Sequence, residues 1–224
     1  MSQNRLIALF DMGSPDVFGD MFDIVIANKI PYSLGPGDCI VLEGGSDINP
    51  SHYGQRPIKQ TQSTNWQRDR SELRLIEDGA KAGAKFLGIC RGAQFLTAYA
   101  GGSLIQHVSG HHTSHWITTK DGKQYWSSSV HHQMMNPFDL PDEEYELIAS
   151  SETNRSDFYL VEQGGRPVDI RQALPEEFAE PEIVWYPKIK GLAIQGHPEF
   201  MRPKDAFVNY CRELVKEKIL GHSC

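Results

Sequence analysis

At Lys85 an apolar run, KFLGIC, passes into a segment of helical spacing, RGAQFLTAYAGG, with only a glycine-flanked cysteine at the join. The first stretch is short and apolar, which reads as a buried strand. The second repeats apolar residues at helical intervals and closes at Gly101–Gly102. A strand that enters a helix this abruptly has to fold that helix back over a sheet. The same order precedes it. DCIVLEGG, Asp38 to Gly45, reads as a strong strand ending in two glycines. RDRSELRLIEDGAKAG reads as a helix: Asp69 and Glu72 have capping-box spacing, Leu73, Ile76 and Ala80 form an apolar stripe, and Gly83 stops it. RLIALF, Arg5 to Phe10, reads as a buried strand, and MFDIVIANKIPYSL fits a short strand or a helix end. This alternation predicts an α/β fold with a central, mostly parallel sheet flanked by helices. Right-handed crossovers then bring the strand ends, and Cys90 with them, to one edge.

The second half is less regular. HHTSHWITTKDGKQYWSSSVHHQ predicts a β-ribbon turning at DGK. YELIAS, DFYLVE and EIVWYP read as further strands, and KGLAIQGHPEF as a strand and a turn. PKDAFVNYCRELVKEKIL reads as a closing amphipathic helix with Phe207, Tyr210, Cys211 and Leu214 on its core face. No repeat or linker divides the 224 residues, so one domain, 1–224, is expected. The net charge of -7 offers no general attraction to nucleic acid or to an anionic membrane. No apolar run approaches the ~18 residues that would span a bilayer. The start, MSQNRLIALFDMGSPD, lacks the charged and long apolar regions of a signal peptide, so a cytoplasmic protein is expected. Cys39, Cys90, Cys211 and Cys224 make no C-x-x-C pair and read as free thiols, with Cys39 in the core and Cys224 frayed at the end.

Cys90 alone has unusual neighbours. GICRG is a G-x-C-x-G sequence between strand and helix, a turn that forces the middle side chain outward. The helix that follows points its positive end at the sulfur and favours thiolate. The Arg91 N–H would lie where an oxyanion forms. A cysteine nucleophile needs a base held in orientation. AIQGHPEF supplies His197 for the proton and Glu199 to fix the imidazole tautomer, around Pro198 after a strand.

Taken together, GICRGAQFLTAYAGGSLIQ and IQGHPEF resemble the class I glutamine amidotransferase-like family, whose core is flavodoxin-like. EGGSDINPSHYG, RDRSELRLI and SVHHQ narrow the resemblance to its γ-glutamyl-γ-aminobutyrate hydrolase branch, peptidase C26. The resemblance implies Cys90 as nucleophile, His197 as general base and acid, and Glu199 as orienting carboxylate. It implies an oxyanion hole from the N–H groups of Gly45 and Arg91. It also implies that Gln94 helps hold the γ-glutamyl part, and that the Ser129–Gln133 segment, with Ser129, Val130, His131 and His132, contacts the substrate's α-amino and α-carboxyl groups. The implied reaction is hydrolysis of a small γ-glutamyl amide through a thioester, with no metal or organic cofactor. The sequence departs from the family at Gly196, where a bulky aromatic is frequent, and at Glu43, where related chains often carry an apolar residue, serine or proline. The segment before Cys39 is short, as if one early β–α element were trimmed.

Other clusters read more simply. His107, His111, His112 and His115 include helical spacing that would suit zinc, but glycine and Ser/Thr break the helix and no carboxylate or cysteine is close in sequence. A solvated or substrate-lining loop is expected there, and for Trp66, Arg68, Asp69 and Arg70 a solvated helix start with Asp69 as cap. Three rival functions stand beside hydrolysis: a glutaminase subunit handing ammonia to a synthetase, a non-catalytic binding protein, and a zinc-binding protein that uses the histidine cluster. A homodimer is left open.

Overall fold

The computed structural model describes residues 3–222, so the expectation for Cys224 lies outside the described residues. A nine-stranded sheet forms the centre. Its strands are β1 (Arg5–Ala8), β2 (Ile24–Ala27), β3 (Asp38–Leu42), β4 (Lys85–Ile89), β5 (His115–Thr119), β6 (Gln124–Ser127), β7 (Glu146–Ser151), β8 (Pro181–Tyr186) and β9 (Gly191–Ile194). They lie in the order β2-β1-β3-β4-β9-β8-β7-β5-β6. The first five are mutually parallel, and from β9 onward each neighbour is antiparallel. The parallel half is the part built from the strand–helix alternation.

β3 and β9 are buried along their whole length, as strands covered on both faces must be. Their side chains alternate between two cores. Cys39, Val41, Leu87, Ile89 and Ile194 face α4 (Ala206–Leu214), which contributes Phe207, Cys211 and Leu214. Ile40, Leu42 and Phe86 face α2 (Trp66–Ala82) and α3 (Arg91–Tyr99), which contribute Leu75, Ile76, Phe95 and Leu96. The apolar stripe expected on α2 shifts: Ile76 and Leu75 are buried, Leu73 is partly buried and Ala80 is exposed. Tyr210 is also only partly buried.

α2 starts earlier than its capping-box spacing suggested. Asn65 is the cap, its side chain accepting the Arg68 N–H at 3.1 Å, and Asp69 and Glu72 lie one turn or more inside, fully buried. The helix stops as expected, at Gly83 in the left-handed conformation. Between β1 and β2 there is a five-residue helix, Ser14–Phe18, and between β2 and β3 no helix at all. The predicted ribbon is β5 and β6, paired from His115–Ser127 to Thr118–Gln124. Among the described residues no helix is long and apolar enough to cross a membrane.

Candidate active site

Cys90 sits at the end of β4 with φ 49° and ψ −104°, a conformation that L side chains avoid. Its neighbours hold it there. Its N–H donates to the Ile194 carbonyl of β9 at 2.8 Å, and its carbonyl accepts the Gln94 N–H of α3 at 3.1 Å. Gly92 is obligatory on the far side, because a Cβ there would stand 1.9 Å from the Leu42 carbonyl oxygen of β3. The turn therefore pushes the sulfur to the sheet edge while leaving Cys90 only 6% exposed.

His197 follows β9 and reaches the same edge. Its N–H donates to Ser128, and its carbonyl accepts the Ser128 hydroxyl, so the backbone is fixed from both sides. Its Nδ1–H donates to Glu199 Oε1 at 2.7 Å across the short Pro198–Phe200 turn, which leaves Nε2 for the sulfur. Phe200 stacks on the imidazole, centroids 4.4 Å apart and planes 2° from parallel. Burial alone would lower the His197 pKa. Hydrogen bonds to Cys90 and Glu199 outweigh it and raise the pKa to about 10, which favours the protonated ring. The glycine pair after β3 completes the edge: a Cβ at Gly44 would lie 3.0 Å from His197 Cε1 and 3.9 Å from Cys90 Cβ. Gly45 has φ +138°, a conformation that L side chains rarely adopt, and lies against Arg68 and Arg91. Arg91 opens α3, where the first N–H groups of a helix have no intrahelical acceptor.

The structure brings Gln94 next to the Ser129–Gln133 segment: its amide donates to the Gln133 carbonyl at 3.0 Å. The side chains of that segment divide. Ser129 and His131 are buried and turn inward, Ser129 Oγ donating to the His111 carbonyl and His131 Nδ1 to that of Gln133. Val130 is 57% exposed. His132 is half-buried, with Nε2 3.0 Å from Asp47 Oδ1 and Nδ1 3.1 Å from His107 Nδ1. Gly196 is closely packed. A Cβ there would meet Ser127 Oγ at 2.3 Å and the Ser128 carbonyl at 2.9 Å, so local packing excludes a side chain.

A family model described as Peptidase C26 matches residues 28–153, from before β3 to the end of β7. The chain belongs to the peptidase C26 family. The matched region holds Cys90 and the Ser129–Gln133 segment; His197 and Glu199 lie beyond it. The glutamine amidotransferase-like protein YvdE of Lactococcus lactis subsp. lactis is 40% identical over 100 residues, 42% of this chain and 42% of that one. Its homolog in subsp. cremoris is 46% identical over 100 residues, 42% of this chain and 53% of that one. These matches cover about half of the relatives' lengths. Among solved structures, PurLQS from Thermotoga maritima aligns over 99% of both chains with TM-score 0.60 and 15% identity. A glutamine amidotransferase from Thermotoga maritima aligns over 98% of this chain and 87% of that one, with TM-score 0.53 and 18% identity. This C26 chain has the class I glutamine amidotransferase fold.

Three features of this C26 chain escape sequence reading. Glu43, at the end of β3, is fully buried behind Glu199. Ser14 Oγ–H donates to its Oε2 at 2.7 Å, and Oε1 has no partner. Burial, with a contribution from Glu199, raises its pKa to about 7 despite the Ser14 bond. Asp69 and Glu72 are not a solvated cap: both bind the buried Arg91 guanidinium. Arg68 joins them, donating to Glu72 at 2.9 Å and to the Glu43 carbonyl at 2.9 Å, so neither it nor Asp69 belongs to a solvated helix start. The histidine loop is also not solvated throughout. His112 is exposed and His107 half-buried, but His111 and His115 are buried against Glu180 and Glu182 of the β8 segment. Those carboxylates lie some seventy positions downstream, out of reach of a spacing argument.

Proposed function

We propose that this protein hydrolyses the γ-glutamyl amide bond of a small γ-glutamyl compound. The observation that carries the reading is the strained Cys90 elbow beside a buried His197 that Glu199 orients. The Cys90 thiolate attacks the γ-carbonyl carbon, and the carbonyl electrons move to oxygen. The N–H groups of Gly45 and Arg91 receive that oxyanion; losing one such donor typically costs ~2.7–4 kcal/mol. The C–N bond then breaks as the His197 proton passes to the departing amine. Water attacks the γ-glutamyl thioester, His197 takes its proton, and glutamate leaves as the thiolate is restored. Gln94 and the Ser129–Gln133 backbone, with Val130 and His132, hold the glutamyl part. Ser129 and His131 act by shaping that segment, because their side chains turn away from the edge. The site of action is the cytoplasm.

Glutamate release from a panel of γ-glutamyl amides, free glutamine included, tests this. Turnover of one amide well above glutamine, abolished in Cys90→Ala, is the expected outcome. Substantial turnover in Cys90→Ala would remove the nucleophile. Turnover of glutamine alone, and only with a second protein present, would identify a glutaminase subunit instead. No turnover of any amide under either condition would favour the binding-protein reading.

A further inference from the structure

At the Ser129–Gln133 segment, through His131, lies a second cluster of buried titratable side chains. Three of its atoms lack any hydrogen-bond partner: His111 Nδ1, His131 Nε2 and one carboxylate oxygen of Glu182, Oε2. Unpaired buried polar atoms are uncommon, and each calls for an explanation. These three residues offer ligand atoms that lie within 4.8 Å of one another, and all three residues are buried. The His111 and His131 rings are 4.6 Å apart, centroid to centroid.

The other polar atom of each residue is already engaged. His111 Nε2 is 3.0 Å from Glu180 Oε2, His131 Nδ1 is 2.7 Å from the Gln133 carbonyl, and Glu182 Oε1 is 2.8 Å from His115 Nε2. A metal-bound histidine characteristically donates its second ring N–H to a carboxylate or a backbone carbonyl, and a metal-bound carboxylate is itself hydrogen-bonded. The cluster has that outer shell on all three residues. Two histidines and one carboxylate suit zinc or another divalent first-row cation. Bonds of about 2.0–2.2 Å set tetrahedral ligand atoms about 3.4 Å apart, so side-chain shifts of about 1 Å or less would close the cluster on an ion.

We propose that His111, His131 and Glu182 form a binding site for a divalent transition-metal cation, zinc in the first instance. The ion is structural. It ties the His111 loop, β8 and the Ser129–Gln133 segment together at one point. Gln133 transmits the restraint toward Cys90, since its carbonyl accepts both the His131 and the Gln94 donors. Sequence spacing missed the site because its ligands come from three separated segments, and His107, His112 and His115 are not among them. The cation-free alternative is a second proton on His111, which would then sit as an imidazolium between Glu180 and Glu182; His111 Nδ1 is 3.5 Å from Glu182 Oε1.

The test uses the full chain without a histidine tag. Elemental analysis for zinc, iron and manganese reads the protein as purified. The chain is then unfolded with a chelator and refolded with and without zinc chloride, and the metal content and Tm of each product are measured. The proposal expects close to one divalent cation per chain, a Tm several degrees higher after refolding with zinc, and loss of stoichiometric metal in folded Glu182→Gln or His131→Ala. If those variants do not fold, the paired wild-type refolding decides. Metal far below stoichiometry in both wild-type products, with equal Tm, overturns the site and leaves the imidazolium network. Glutamate release plays no part in this readout, so its failure and that of the proposed hydrolysis are separate.

Discussion

Glu43 shows how one residue can bear on the site without touching substrate. A carboxyl that is buried, bonded by Ser14 and close to the Glu199 carboxylate holds its proton to about pH 7. In the unfolded chain the same carboxyl loses its proton in the ordinary carboxylate range. Between those two pH values the folded state binds more protons, so Glu43 makes stability fall as pH rises, and the full cost is present above about 7. Glutamine keeps the acceptor for Ser14 and cannot ionise. Glu43→Gln is therefore expected to match wild type near pH 4 and to exceed it by about 3 kcal/mol near pH 8, at 1.36 kcal/mol per pKa unit. Urea unfolding at the two pH values measures it; an equal difference at both would show that Glu43 does not titrate in this range. Seen in sequence, Glu43 is only an unexpected residue before a glycine pair. Its partners, Ser14 and Glu199, lie 29 positions before and 156 after it.

Among the elements, α2 and α3 are joined by charge beneath the elbow. Arg91 opens α3, and its guanidinium binds Asp69 and Glu72 on α2, all three fully buried. Arg91→Ala keeps the backbone N–H at the elbow but leaves two carboxylates buried without their cation. Breaking such a pair from one side costs about 3–5 kcal/mol, and chemical denaturation of the variant should show a loss of that size. A loss below 1 kcal/mol would mean that solvent or Arg68 compensates. This pair also marks the limit of local pattern. The β3–glycine and β4–Cys90–α3 units were legible because each is a contiguous run whose period and stop signals lie within it. Asp69 and Glu72 matched a capping box for the same local reason, yet their partner is about twenty residues away. His111 and His115 read as a solvated or substrate-lining loop because the glutamates that bury them, Glu180 and Glu182, lie just before and within β8. A resemblance to a known family supplied Gly45, Gln94 and the Ser129–Gln133 segment, which no spacing rule would have selected.

At the scale of the molecule, the two halves of the sheet play different parts. The parallel strands β3, β4 and β9 carry the glycine pair, Cys90 and His197 on neighbouring C-terminal ends, the usual place for a site in an open α/β sheet. The later segments bring the Ser129–Gln133 loop against them and bury the His111 cluster. The sharpest point in this frame is the backbone at Cys90, φ 49° and ψ −104°. At an ordinary position alanine is the more stable replacement and glycine the weaker one, by roughly 0.5–1 kcal/mol. Here the order should reverse. Alanine keeps the steric conflict, glycine removes it, and Cys90→Gly should be the more stable of the two by about 1–2 kcal/mol, the scale of one such dihedral outlier. Unfolding curves of the two variants measure the gap; the ordinary order would show a relaxed elbow. Neither variant keeps the thiol. The reversal would mean that part of the cohesion supplied by the rest of the chain is spent holding one sulfur in place, so that selection for robustness alone would drive this position toward glycine and discard the thiol.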